Sequence, residues 1–257
     1  MKKKIKIILN KKNKKKIVCL TSYSKSMTEI LDKYCDIILV GDSMANVLYG
    51  MDNTHKITLE TIINHSRSVK LGAKNALVVV DMPINSYRNI KDAKKNAQKI
   101  IKLTKCDAVK IESNKNNYKI IRALVEAGIS VMGHIGYTPQ FKNKFKVEGK
   151  TRSDQKKLIE EALKIEEAGA FSIVIECVTI NTAKIITKKL FIPTIGIGSS
   201  VVCDGQILVT DDLLGLSGFY PKFVKRYTNL KKIIEKGIQK YTRDVINKKF
   251  PEKKNTY

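Results

Sequence analysis

The chain has 257 residues, 43% of them hydrophobic, 7% aromatic and 28% charged, a length that suits one barrel or two small domains and an apolar content that excludes a disordered or fibrous chain. Its net charge is +25, from 49 Lys and Arg against 24 Asp and Glu. Only six of the 49 are Arg (Arg67, Arg88, Arg122, Arg152, Arg226, Arg243), the side chain that reads phosphates and base edges bidentately, so the charge describes a solvated lysine coat and no specific nucleic-acid site is expected.

In chain order, residues 1–16 (MKKKIKIILNKKNKKK) form a basic N-terminal segment whose apolar stretch is too short for a signal-peptide core. No run approaches about 18 apolar residues, so no membrane span is expected and a cytoplasmic location follows. Apolar strands are predicted at 17–20, at 37–40 ending in Gly41-Asp42-Ser43, and at 76–80 ending in Asp81-Met82-Pro83. A helix face of Ala93, Ala97, Ile100 and Ile101 then precedes a strand at 108–111 that stops at Glu112. Ile120, Ile121, Leu124 and Val125 make the next helix stripe, which stops at Gly128 before a strand at 129–132 closed by Gly133-His134. Ser153 or Asp154 is placed to cap a helix carrying Leu158, Ile159, Ala162 and Leu163, which Gly169 ends before a strand at 171–175 and Glu176. Strands at 194–197 and 207–209 follow, and a lysine-rich helical tail runs over about 229–257. Eight strands buried on both faces and alternating with helices predict a parallel sheet closed as a single (β/α)8 TIM barrel, with 1–257 as one domain.

The chemistry is expected at the strand ends. Asp42, Asp81, Glu112 and Glu176 each follow a strand, and His134 closes a fifth. In a barrel these ends converge on one face, where active sites are built. Gathered carboxylates repel unless a cation or proton lies between them, and all-oxygen donors suit Mg²⁺. Lys110 and Glu112 are two apart on one strand, so they share a face, and that face is predicted to be the barrel interior. Taken alone, Asp42 or Asp81 reads equally well as a helix cap, Lys110 with Glu112 as an internal ion pair, and His134 as a polar core residue. Five cysteines (Cys19, Cys35, Cys106, Cys177, Cys203) have no CxxC or metal spacing and read as small buried hydrophobes in a reducing compartment.

Eight segments in order carry a resemblance: LVGDSM (39–44), VVVDMPINSY (78–87), AVKIE (108–112), VMGHIGYTPQ (131–140), IVIECV (173–178), IPTIGIGSS (192–200), CDGQILV (203–209) and PKFVK (221–225). With these the chain resembles the ketopantoate (3-methyl-2-oxobutanoate) hydroxymethyltransferase family of pantothenate and coenzyme A biosynthesis. The resemblance implies a barrel of the phosphoenolpyruvate/pyruvate type, Mg²⁺, and a large homo-oligomer, commonly a decamer. It implies transfer of a one-carbon unit from 5,10-methylenetetrahydrofolate to 3-methyl-2-oxobutanoate through a Mg-stabilised enolate, giving 2-dehydropantoate. Carried over by position, Asp42, Asp81 and Glu112 match the metal-associated acids, Glu112 through water. Ser43 and Lys110, with Asp42 and Asp81 through the ion, match substrate contacts, Glu176 matches the catalytic base, and His134 is a further active-site candidate. The chain departs from the family pattern at Ser24, where an Asp is common, at Ser199-Ser200, at Met44-Ala45 and in a shortened loop at 141–147.

Two rival readings make different demands. A Mg²⁺-dependent lyase or mutase on the same barrel would carry a cysteine-containing catalytic loop such as KKCGH, which the sequence lacks. A polyanion-binding protein gives no reason for acids at four strand ends.

Overall fold

Short runs rich in Val, Ile and Leu, separated by amphipathic stretches, are the pattern of strands covered on both faces. The computed structural model, which describes residues 3–114, 117–142, 144–218 and 220–257, bears this out. In chain order the elements are α1 (Lys3–Leu9), β1 (Ile17–Thr21), α2 (Lys25–Leu31), β2 (Ile37–Val40), α3 (Met44–Val47) and α4 (Leu59–Gly72). They continue with β3 (Leu77–Asp81), α5 (Ile90–Thr104), β4 (Ala108–Glu112), α6 (Asn117–Glu126), β5 (Val131–Gly136) and α7 (Arg152–Glu167). The last are β6 (Ser172–Glu176), α8 (Ile180–Lys189), β7 (Thr194–Ile197), β8 (Gly205–Leu208), α9 (Thr210–Leu214) and α10 (Leu230–Ile246). The eight strands pair in parallel in sequence order, and β8 closes on β1, a TIM barrel.

The chain divides into two compact units, Met1–Val209 and Thr210–Tyr257. The first holds the barrel. The second holds α9 and the lysine-rich α10, which starts from an Asn229 cap and buries none of its residues.

Two apolar layers build the barrel unit. Outward-facing strand residues such as Val78, Val80, Val109, Ile111, Ile173 and Ile175 pack under the helices. The lower interior is filled by Ile17, Ile37, Leu77, Phe171 and Ile195 together with Ile5 and Ile8 of α1. The basic N-terminal segment is therefore a plug, an element that its composition concealed. Its apolar face closes the N-terminal end of the barrel, and its lysines find carbonyls and carboxylates around the rim: Lys4 on Ala76 O (2.7 Å), Lys12 on Asp204 Oδ2 (2.8 Å) and Lys16 on Cys203 O (2.6 Å).

Two expectations are corrected. The cap of α7 is Thr151, whose hydroxyl accepts from Asp154 N at 3.1 Å, while Asp154 lies in the first turn and Ser153 is helical. β5 runs on to Gly136, so His134 lies within the strand instead of closing it. Gly133 is not a breaker. A Cβ there would lie 2.5 Å from Ile165 Cγ2, so the missing side chain lets α7 press onto the strand.

Candidate active site

Strand register assembles the polar centre. Above the apolar interior, β3 pairs with β4 so that Asp81 lies beside Lys110, β4 with β5 so that Glu112 lies beside His134, and β5 with β6 so that Gly136 lies beside Glu176. Because alternate residues share a face, Lys110 and Glu112 both point into the barrel, as their spacing predicts. Asp81 Oδ1 accepts from Lys110 Nζ at 2.5 Å, and Asp81 Oδ2 accepts from the backbone N–H of Asp42 at 3.0 Å. The internal ion pair of Lys110 is therefore with Asp81, across the strands, and not along its own strand. Neither Asp42 nor Asp81 caps a helix: Ser43 holds that position at α3 and Asn89 at α5.

Gln140, in the turn after β5, ties the acids together. Its side-chain N–H₂ donates to Asp42 Oδ2 (2.7 Å) and Met82 O (3.0 Å), its backbone N–H donates to Glu112 Oε2 (2.9 Å), and its Oε1 accepts from Tyr87 O–H. A single residue thus spans Asp42 and Glu112. Neither Gln140 nor Tyr87 was singled out among the candidate residues, although they close the segments 131–140 and 78–87.

His134 lies between two carboxylates, with Nδ1 3.5 Å from Glu112 Oε1 and Nε2 3.2 Å from Glu176 Oε2. Neither contact has hydrogen-bond alignment. Burial and the Lys110 charge push the imidazole down, but Glu112 and Glu176 outweigh them and raise its pKa to about 9. Burial, then the charges of Asp81 and Glu112, push the Asp42 carboxyl up to about 8. Lys110 is held above its usual value: burial opposes its charge, and Asp81, Glu112 and Asp42 more than compensate.

Exposure divides the roles. The side chains of Asp81 (3%) and Glu112 (1%) are sealed, whereas Glu176 is 18% exposed and can meet a ligand entering from the mouth. Gly136 sets that position. It has φ +94°, and a Cβ on it would fall 2.1 Å from Glu176 O. Cys177, directly after Glu176, takes a left-handed backbone (φ 51°), a strained choice for a side-chain-bearing residue at the end of β6. Ser43 makes no capping bond; its hydroxyl lies 3.0 Å from Tyr23 O–H. Ser24, one of the departures from the family pattern, caps α2.

The donors fit a divalent cation. Four carboxyl groups face one lysine and one histidine, and the like charges of Asp81 and Glu112 that, with burial, push Asp42 up are what a bound cation would offset. Gly41 lets the backbone pass close to these groups, since a Cβ there would lie 2.8 Å from Ser43 Oγ and 3.4 Å from Asp81 Oδ2. Among the described residues no three His, Cys, Asp or Glu side chains cluster tightly enough to hold an ion unaided. Mg²⁺ takes one or two carboxylates and completes its shell with water and substrate, and the carboxylates of Asp42 and Asp81 are donors of that kind. The five cysteines are all buried and none is joined in a disulfide among the described residues.

The chain is similar to known proteins over nearly its whole length. A ketopantoate hydroxymethyltransferase family profile matches residues 2–253. The 3-methyl-2-oxobutanoate hydroxymethyltransferase of Pelagibacter ubique (strain HTCC1062) is 51% identical over 257 residues, covering 100% of both chains. That of Clostridium botulinum (strain Alaska E43 / Type E3) is 49% identical over 253 residues, covering 96% of this chain and 92% of the relative. In fold, a phosphonopyruvate hydrolase in complex with oxalate and Mg²⁺ superposes with TM-score 0.61 at 11% identity, covering 98% of this chain and 93% of the other. A 2,3-dimethylmalate lyase of the PEP mutase/isocitrate lyase superfamily gives TM-score 0.62 at 13% identity, covering 98% and 87%.

Proposed function

The chain belongs to the ketopantoate hydroxymethyltransferase family, and on that premise we propose that it joins 3-methyl-2-oxobutanoate to the one-carbon unit of 5,10-methylenetetrahydrofolate with Mg²⁺ as cofactor, in pantothenate biosynthesis. The balance is substrate, methylenetetrahydrofolate and water giving 2-dehydropantoate and tetrahydrofolate. The observation that carries the reading is the gathering of Asp42, Asp81 and Glu112 around the buried Lys110 ammonium, with Glu176 reached from Glu112 through His134, at the ends of β2, β3, β4 and β6.

Asp42 and Asp81 would hold the cation, with Glu112 acting through a water. When bound, such an ion supplies Lewis-acid polarisation of a 2-oxo acid and stabilises the charge of its enolate. The remaining steps belong to the chain. Ser43 and the N–H donors of Lys110 not spent on Asp81 bind the substrate carboxylate. Glu176, the open carboxylate, takes the proton from C3. His134, between Glu176 and Glu112, keeps the two acids from repelling one another. The C3 carbanion equivalent then forms the new bond to the folate-borne carbon.

Further parts of the proposal are a cytoplasmic location, consistent with five buried cysteines held outside disulfides, and a homo-oligomer such as a decamer. No helix among the described residues is long and apolar enough to cross a membrane. The test is direct: purified protein with Mg²⁺, 3-methyl-2-oxobutanoate and methylenetetrahydrofolate yields 2-dehydropantoate by mass, and chelator stops it. No product with the metal present removes the reading.

A further inference from the structure

We infer that Gln140 is the positioning residue of the carboxylate cluster and that Tyr87 locks its amide so that Asp42 is presented to a divalent cation. The inference rests on the metal reading above.

Gln140 is 2% exposed, and every hydrogen-bonding group of its amide has a use. Met82 O and Asp42 Oδ2 can only accept, so the N–H₂ end must face them, at 3.0 and 2.7 Å. That leaves Oε1 buried and in need of a donor, and Tyr87 O–H supplies it. Tyr87 is itself buried, with its ring edge against Phe141 at 6.3 Å, which holds the hydroxyl beside the amide. The amide has two unlike ends, and only one orientation satisfies all three neighbours. A flipped amide would set a carbonyl oxygen against a carbonyl and a carboxylate.

The consequence lies at Asp42. Gln140 occupies Oδ2 and spares Oδ1, which fixes the rotation of the carboxylate. Meanwhile the backbone N–H of the same residue holds Glu112 Oε2. One residue therefore sets the relative positions of two acids that β2 and β4 deliver separately. Groups that orient a metal-ligating side chain typically change metal affinity by about 10–100-fold when removed.

The test is Mn²⁺ titration of the full-length protein by EPR, without substrate, on the wild type, Tyr87→Phe, Gln140→Leu and the double variant. Gln140→Leu should bind about 10–100-fold more weakly, and Tyr87→Phe about 3–10-fold more weakly, the worth of one neutral hydrogen bond. Because Tyr87 acts through Gln140, the double variant should be no weaker than Gln140→Leu alone. Affinity within twofold of wild type in Gln140→Leu overturns the inference, as does a Tyr87→Phe effect that persists undiminished in the double variant. If Gln140→Leu loses its near-UV circular dichroism, Tyr87→Phe decides: weakened binding supports the inference and unchanged binding overturns it. A wild type that binds no Mn²⁺ instead overturns the metal reading, and this inference with it.

Discussion

Asp42 donates its backbone N–H to Asp81 Oδ2 at 3.0 Å across 39 residues of sequence. The other oxygen of Asp81 is taken by Lys110 at 2.5 Å, so this one carboxylate fixes both the end of β2 and the buried cation of β4.

Replacing Asp81 by Asn should therefore act twice. It removes a proposed metal donor, and it leaves the buried Lys110 charge without its partner. Breaking a buried pair from one side costs about 3–5 kcal/mol. We expect urea unfolding to show that loss and the Mg²⁺ requirement to rise sharply. Unchanged stability together with an unchanged metal requirement would sink both roles.

Glu176→Gln keeps shape and removes basicity. Exchange of the C3 proton of 3-methyl-2-oxobutanoate with D₂O, followed by NMR, should slow by about 10²–10⁴-fold, while Mg²⁺-dependent substrate binding persists. Exchange at the wild-type rate would assign the base elsewhere.

Gly136→Ala introduces a Cβ that would sit 2.1 Å from Glu176 O, at a φ of +94° that side-chain-bearing residues avoid. The end of β6 must shift. We expect a stability loss of about 1–3 kcal/mol, read from thermal unfolding, with turnover falling more than the Mn²⁺ affinity, because the base moves and the metal donors do not. A fully active variant would show that the position of Glu176 is not set by this contact.

Asp204 predicts a pH response far from the site. Burial alone would raise its carboxyl, but Lys12, Thr194 N and Asn13 N hold it below its usual value. A carboxyl depressed by folding contributes stability that is complete above its unfolded pKa, about 4, and is lost as pH falls through the folded value. Unfolding free energy should therefore drop below about pH 4, and Asp204→Asn should flatten part of that drop. An identical acid profile in the variant would exclude the linkage.

Ile8→Ala tests the barrel plug. Ile8 is 2% exposed, packed with the strand residues at the lower barrel end. Truncation should cost about 2–5 kcal/mol in chemical denaturation. A loss under about 0.5 kcal/mol, the range of ordinary surface changes, would mean that α1 is not part of the core.

Much of the site was legible because it sits on strands. Period-two alternation fixes which residues share a face, so Lys110 and Glu112 could be assigned to one face from spacing alone, and the acids at four strand ends could be assigned to the barrel mouth. Residues on turns obey no such period. Gln140 and Tyr87 lie outside the strands, and nothing local marks a glutamine that will bridge two carboxylates. The plug was hidden for a related reason. Ile5 and Ile8 are too few to announce a core helix, and their value comes from an opening that exists only once eight strands have closed.

The sequence by itself determined the alternation of strand and helix, the barrel it implies, and which acids ride on the strand ends, because backbone periodicity and apolar burial act over a few residues at a time. Only the tertiary structure decided who pairs with whom: Lys110 with Asp81, Asp42 with Gln140, and His134 between Glu112 and Glu176. Those choices depend on inter-strand register and on loop reach. They are settled by electrostatic and hydrogen-bonding terms that operate between residues tens of positions apart, once burial has removed water as the competing partner.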